Sequence, residues 1–189
     1  MPAMTGVREM AWVRAIPSRA LRWLAVFLVL ASTVGCDQAA KHFAHSQLSQ
    51  AVPATLPGGF LELTLTENPG AFLSWGASLP PAVRCGLLTA GVSVGLALLL
   101  AYLLRAVSLR WPAFLGLVLL WAGGMSNLLD RFLRDGRVTD FILLRAGPLH
   151  TGVFNLADIA IIAGIAILIF SFRQSSESNP SAPTPSSQS

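Results

Sequence analysis

Four long apolar runs divide the chain, and the polar stretches between them carry most of its information. The first run is Ala20 to Gly35, ended by Cys36 and Asp37; the others are Val83 to Leu104, Pro112 to Leu129 and Phe154 to Phe170. Each approaches the roughly 20 residues that take a helix across a bilayer, and Arg22 and Trp23 extend the shortest into the interface. The pattern predicts spans over about 20–36, 83–104, 112–129 and 154–170. Between the first two runs the period changes. Leu61, Leu63 and Leu65 alternate with Glu62, Thr64 and Thr66, the signature of a half-buried strand, bracketed by the turn signals Pro57-Gly58-Gly59 and Asn68-Pro69-Gly70. The expected fold class is membrane α-helical, four transmembrane helices with a small β-sheet on one membrane face.

Composition agrees with that class. Of 189 residues, 53% are hydrophobic and only 12% charged, against about a quarter charged in a soluble domain. Mean hydropathy is +0.62. The net charge of +4 does not point to nucleic acid, because the arginines flank apolar runs where the positive-inside bias already accounts for them. Arg8, Arg14 and Arg19 precede the first span with Arg22 in its first turn, Arg105 and Arg110 join the second to the third, and Arg173 follows the fourth. Both termini are therefore expected in the cytoplasm: a basic leader over 1–19, one membrane domain over 20–171, and a disordered Ser/Pro-rich tail over 172–189. Arg131, Arg134, Arg137 and Arg145 fall on the other side, and their interleaving with Asp130, Asp135 and Asp140 reads as pairing inside a folded element.

This topology sends Asp37, Lys41, the Asn68 turn and everything from Asp130 to Asp158 to one extracytoplasmic face. Carboxylates beside hydrocarbon need a protein interior, a cation or a chemical task. Asp158 has a structural task available: Asn155 as the N-cap of the fourth helix with Asp158 at its third position makes a capping box, where a negative charge also suits the dipole. Asp130 follows the end of the third run, where the dipole disfavours an anion, so it calls for a cation such as Arg131 or Lys41. Asp140, among Val138, Phe141 and Ile142, has no local salt partner; partial desolvation there raises a carboxyl's pKa. Two neighbouring carboxyls that share one proton can activate water and protonate a departing group. Asp140 and Asp158 make the best such pair. No metal or other cofactor is expected, since His42, His45 and His150 are scattered, and Ser126 has no obvious base.

At these residues the chain closely resembles the lipoprotein signal peptidase (signal peptidase II) family of bacterial membrane aspartyl peptidases. Asp37-Gln38-Ala39-Ala40-Lys41 resembles that family's D-Q-x-x-K, and Asn68-Pro69-Gly70-Ala71-Phe72 its N-x-G-A turn, with Phe72 standing where a second alanine is frequent. Gly124 to Arg131 resembles G-x-x-N-L-x-D-R, Val138-Thr139-Asp140-Phe141 resembles V-x-D-F, and Phe154 to Asp158 resembles F-N-x-A-D. The resemblance implies a catalytic dyad of Asp140 and Asp158. It implies supporting or substrate-binding roles for Asp37, Lys41, Asn68, Gly70, Asn127, Asp130, Arg131 and Asn155. It further implies a β-cradle and a periplasmic helix or loop over the site. The implied substrate is a prolipoprotein already carrying diacylglycerol on a cysteine, cut on the N-terminal side of that cysteine. The implied setting is a bacterial inner membrane, with membrane lipid and the substrate as partners and the chain acting as a monomer.

Three rivals make different demands. A proton-relay or transport subunit wants acids at mid-bilayer, and the interiors of the four runs contain none. A non-enzymatic assembly protein would use the aspartates only as caps and ion pairs. A lipoprotein anchored through Cys36 is suggested by Thr33-Val34-Gly35-Cys36 behind a basic start, but three further apolar runs follow.

Overall fold

The computed structural model describes residues 18–48, 53–71, 76–106 and 108–177. The leader before Ser18, the tail beyond Glu177 and Phe72 lie outside the described residues. Helix α1 runs Ser18–Gln47, and β1 (Ala54–Thr55) and β2 (Leu61–Asn68) follow. The second crossing is composite, with a short α2 (Pro81–Arg84), a π-helical turn Cys85–Gly91 and α3 (Val92–Arg105). Then come α4 (Trp111–Leu133), β3 (Val138–Ala146), β4 (Leu149–His150) and α5 (Leu156–Glu177). Among the described residues, four segments are long and apolar enough to cross a membrane: Arg19–Gln47, Pro81–Arg105, Trp111–Leu133 and Leu156–Gln174.

Three boundaries differ from the sequence expectation. Helix α1 does not stop at Cys36. Asp37 to Gln47 contains no glycine or proline and three alanines, so nothing breaks the helix, and Asp37 and Lys41 form an i,i+4 ion pair along it. Asp37, Lys41 and Ala44, all fully buried, consequently make one inward stripe. Helix α4 likewise continues past Leu129, which puts Asp130 and Arg131 inside its last turn. Helix α5 begins after Asn155 and passes Phe170 to reach Glu177, so the polar tail expected from residue 172 is helical over its first six residues. No helix breaker precedes Pro180.

The sheet is antiparallel in the order β1-β2-β3-β4. Leu63 pairs with Ile142, but Thr66 pairs with Asp140, so β2 carries one extra residue at this point. Such a bulge re-aims side chains. It explains why the simple alternation read from Leu61 to Thr66 does not appear in burial, which is intermediate all the way to Glu67. On its other side β3 meets the chain entering α5: Phe141 and Ile142 both donate backbone N–H to Phe154 O, at 3.0 and 2.9 Å.

Helices α4 and α5 pack backbone against backbone. A Cβ on Gly123 would lie 2.5 Å from Ala157 O, and one on Gly164 would lie 2.5 Å from Gly116 O. Small residues permit such approach between membrane helices. The contact at Gly123 is one turn from Asn127 on α4 and adjacent to Asp158 on α5, so it sets the spacing of those two side chains. Away from the sheet, α1, α3 and α4 share an apolar cluster of Val26, Leu96, Leu103, Phe114, Val118, Trp121 and Leu128. Arg22 closes that end, donating to Ala106 O and Leu109 O with its guanidinium over the rings of Trp111 and Phe114.

Candidate active site

Strand register brings Asp140 to its neighbours. Thr66 stands opposite it, and Asn68, paired with Val138, is its diagonal neighbour on the same face. Asn68 Nδ2 donates to Asp140 Oδ2 at 2.8 Å and to Ala71 O at 3.0 Å. Its Oδ1 accepts from Gly70 N at 2.8 Å, so one side chain shapes the turn and holds the carboxyl. The other oxygen of Asp140 accepts from Asn155 Nδ2 at 2.6 Å.

Asp158 sits in the first turn of α5. Asp158 N donates to Asn155 Oδ1 at 2.9 Å and Asn155 N donates to Asp158 Oδ2 at 3.3 Å, which is the reciprocal geometry of a capping box. The remaining oxygen, Oδ1, accepts from Asn127 Nδ2 at 2.8 Å. Asn127 Oδ1 in turn accepts from Asn155 Nδ2 at 3.1 Å and Lys41 Nζ at 3.2 Å. Both amides are thereby oriented. Each turns its oxygen to a donor and its NH₂ toward a carboxyl group.

Behind this pair lies a buried charge cluster. Lys41 Nζ reaches Asp37 Oδ2 at 2.6 Å and Asp130 Oδ2 at 2.8 Å, and with Asn127 these use all three of its donors. Asp37 Oδ1 accepts the N–H of Ala157, one of the amides that the start of a helix leaves unpaired, so α1 caps α5 from across the fold. Asp37 Oδ2 also accepts from Ser126 Oγ at 2.6 Å. Asp130 accepts from Gln38 Nε2 at 2.9 Å and from Thr139 N at 3.1 Å, and it pairs with Arg134. Two aspartates thus face one lysine and one arginine, which compensates the buried charge.

Arg131 is not the cation for Asp130. Its Nη groups donate to Gly70 O at 2.9 Å and Asn127 O at 3.2 Å, while its buried Nε has no partner among the described residues. Arg131 therefore ties the Asn68–Gly70 turn to α4. Of the two cations expected for Asp130, Lys41 supplies the pairing, and Arg134 adds a second that the i,i+4 spacing of Asp130 and Arg134 could have signalled. Arg145 pairs with Glu62 rather than with an aspartate. The sequence assigned no role to Gln38, Ser126 or Thr139; Gln38 stood in the D-Q-x-x-K match, whereas the hydroxyls of Ser126 and Thr139 carry no periodic or spacing signal.

Asn68, Gly70, Asn127, Arg131, Asp140 and Asp158 all border one cavity of about 10 Å³. That is the room of a single water. Asp37, Lys41, Asp130 and Asn155 stand directly behind it. Asp140 is 2% exposed, and burial pushes its carboxyl up to about 7. The bond from Asn68 opposes that rise, the nearby Asp158 adds to it, and the bond from Asn155 and the charge of Lys41 oppose it again. Among the described residues no three His, Cys, Asp or Glu side chains gather as a metal-ligand set.

The profile of the signal peptidase (SPase) II family matches residues 28–173, a stretch that contains every residue of this cluster. The chain belongs to the signal peptidase II family. It is 34% identical over 149 residues to a lipoprotein signal peptidase of Syntrophus aciditrophicus, covering 77% of this chain and 91% of that one. With a lipoprotein signal peptidase of Leifsonia xyli it shares 31% identity over 172 residues, 86% of this chain and 75% of the relative. Among solved structures, a bacterial membrane enzyme crystallised in meso superposes with a TM-score of 0.71 at 21% identity, covering 84% of this chain and 93% of its own. That superposition establishes the fold. Membership in the signal peptidase II family makes the chain a protease and, with the four apolar helices among the described residues, a bacterial multi-pass membrane protein.

Proposed function

We propose that Asp140 and Asp158 are the catalytic pair of an aspartyl endopeptidase that removes signal peptides from prolipoproteins, cutting on the N-terminal side of a cysteine that carries diacylglycerol. One observation carries the assignment of the pair: two buried carboxyls border a single water-sized cavity, and side-chain amides hold them there at 2.6 to 2.8 Å. Structural carboxylates in this fold are arranged differently, since Asp37 and Asp130 are each within 2.8 Å of a lysine. The substrate class rests on the family likeness.

In this reading Asp140 holds the proton at rest and Asp158, in the first turn of α5 where the dipole favours an anion, carries the charge. A water in the cavity gives its proton to Asp158 while its oxygen bonds to the scissile carbonyl carbon. Asp140 gives its proton to the carbonyl oxygen. Collapse of the tetrahedral species breaks the C–N bond, the amine takes the proton from Asp158, and Asp140 recovers one from the collapsing hydroxyl. Asn127 and Asn155 keep the two carboxyls in register throughout. Arg131 and Gly70 hold the turn that the substrate backbone passes. The site faces the extracytoplasmic side, both termini are cytoplasmic, and the chain works as a monomer whose lipid-anchored substrate arrives in the plane of the membrane.

The test is cleavage of a diacylglyceryl-modified prolipoprotein by purified protein in detergent or bilayers. Wild type is expected to cut before the lipidated cysteine, and Asp140→Asn and Asp158→Asn to remain folded with turnover lowered by roughly 10² to 10⁴. A folded wild type that leaves this substrate intact rejects the substrate class. Near-normal turnover in either variant rejects the pair.

A further inference from the structure

Thr139 and Glu67 stand directly opposite each other on β3 and β2, each one residue from the catalytic face that carries Asp140 and Asn68. Adjacent residues of a strand point to opposite faces, so this pair looks away from the cavity. There it meets the last turn of α1. His45 Nε2 lies 3.0 Å from Thr139 Oγ1 and 3.3 Å from Glu67 Oε1, and Thr139 Oγ1 donates to Glu67 Oε1 at 3.1 Å. The three contacts fix the direction of every proton. A carboxylate only accepts, so the Thr139 hydroxyl spends its hydrogen on Glu67 and is left to accept; the donor is His45 Nε2–H.

Thr139 is fully buried, and its main chain is bound as well, its N–H going to Asp130 and its C=O accepting from Asn155 Nδ2 at 3.4 Å. Movement of Thr139 therefore moves Asp140 and the amide that holds it. Glu67 Oε2 is buried without a hydrogen-bond partner among the described residues, so the carboxylate is bound through one oxygen only. A positive charge on His45 has more to satisfy there than the neutral ring does. The depression over this clasp, about 470 Å³, also presents Arg84 from α2 and Arg134, Asp135 and Arg137 from the α4–β3 connection. Arg84 donates to Ala77 O and Arg134 to Asp130, and guanidinium groups in general lose no proton at working pH. The imidazole, unlike a guanidinium, has a neutral form as well as a charged one, and either can donate from Nε2.

We propose that His45 is a positioning residue for the peptidase site: through Thr139 and Glu67 it clamps the β2–β3 ladder from behind, and its protonation tightens the clamp. The inference rests on Asp140 being half of the dyad, and it adds a second, remote proton to the pH response of turnover.

Two measurements test it. The pH profile of kcat is compared among wild type, His45→Gln, His45→Leu and Thr139→Val. Gln offers a donor without a titrating charge, so His45→Gln should keep turnover within about threefold of wild type at high pH while losing one step of the profile. His45→Leu and Thr139→Val should lower kcat by about 3- to 10-fold with little change in KM, the size of one lost hydrogen bond. A profile for His45→Gln that superimposes on wild type, or a His45→Leu enzyme with wild-type kcat, overturns the proposal. The second measurement needs no substrate: ¹⁵N chemical shifts of the His45 ring in the intact protein at high pH. The proton is expected on Nε2. A neutral ring protonated on Nδ1, or one averaging between the two, overturns the clamp even if the catalytic assignment stands, and failure of wild type to cleave leaves this readout in force.

Discussion

The two ends of the helix bundle both bury charge, and they do it in opposite ways. At the end away from the sheet, Arg22 is 9% exposed, and two main-chain oxygens and two ring faces hold it. Those partners cannot gain or lose a proton. At the sheet end the buried charged groups are four aspartates, Lys41 and Arg131, and the carboxyls fall into two sets. Asp37 and Asp130 face Lys41, whereas Asp140 and Asp158 face the side-chain amides of Asn68, Asn127 and Asn155. The lesson is in the partner. A carboxyl held by a cation is committed to its charge, while one held by amides beside a water-sized cavity can exchange a proton, which peptide hydrolysis requires.

The contrast breaks most sharply at Asp140. Its folded-state pKa of about 7 lies above the ordinary 3.8, so the fold favours the neutral form. The resulting stabilisation is complete below about 3.8 and is lost as pH rises through about 7. Wild type should therefore lose stability relative to Asp140→Asn between pH 4 and 8, by up to roughly 4 kcal/mol at 1.36 kcal/mol per unit. Thermal unfolding of both proteins in the same detergent across that range reads the difference, and parallel curves would mean that burial is not shifting this carboxyl. With Asp140 as the proton donor proposed above, the same titration predicts that kcat/KM declines above about pH 7 as that proton is lost.

Lys41→Met comes next. It leaves two buried carboxylates with one fewer cation, and removing one partner from a buried ion cluster costs about 3–5 kcal/mol. Adding Asp130→Asn should recover part of that loss, and a double-mutant cycle showing strict additivity would deny the coupling. Arg22→Met should cost less, about 1–3 kcal/mol, because the lost bonds go to neutral oxygens. Its kcat/KM should stay within about twofold of wild type once the protein is folded, which stability and turnover assays on one preparation would separate. The smallest effect belongs to Glu62→Gln. Its pair with Arg145, 2.6 Å at Nε, is partly exposed on the sheet, and exposed pairs contribute little, so no change in turnover is expected at ordinary salt.

Much of this arrangement was legible one residue at a time, and the parts that were not share a cause. Asn155 and Asp158 as a capping box could be read because both partners lie within four residues of each other. The role of Arg131 could not: Asp130 is its chain neighbour, yet its guanidinium turns to Gly70 O, 61 residues away. Ser126 stood in the chain as a hydroxyl without a base, and in the fold it donates to Asp37, 89 residues away. The alternation from Leu61 to Thr66 was visible, but the bulge that re-aims β2 against Asp140 is a property of the pair of strands and is written in neither alone.

The sequence by itself determined four crossings, a short strand region beside them and a set of acids at the ends of apolar runs, because length, hydropathy and spacing are local quantities that hydrocarbon and water sort without help from distant residues. Only the tertiary structure decided which acid is tied to a cation and which to an amide. That choice depends on Gly123 letting α4 approach Ala157 of α5, on α1 continuing as a helix to Gln47 so that Lys41 reaches three oxygens, and on one inserted residue in β2. Each is a matter of distance between parts of the chain far apart in sequence. The energy of a buried charge changes steeply with such distances, and no linear pattern records them.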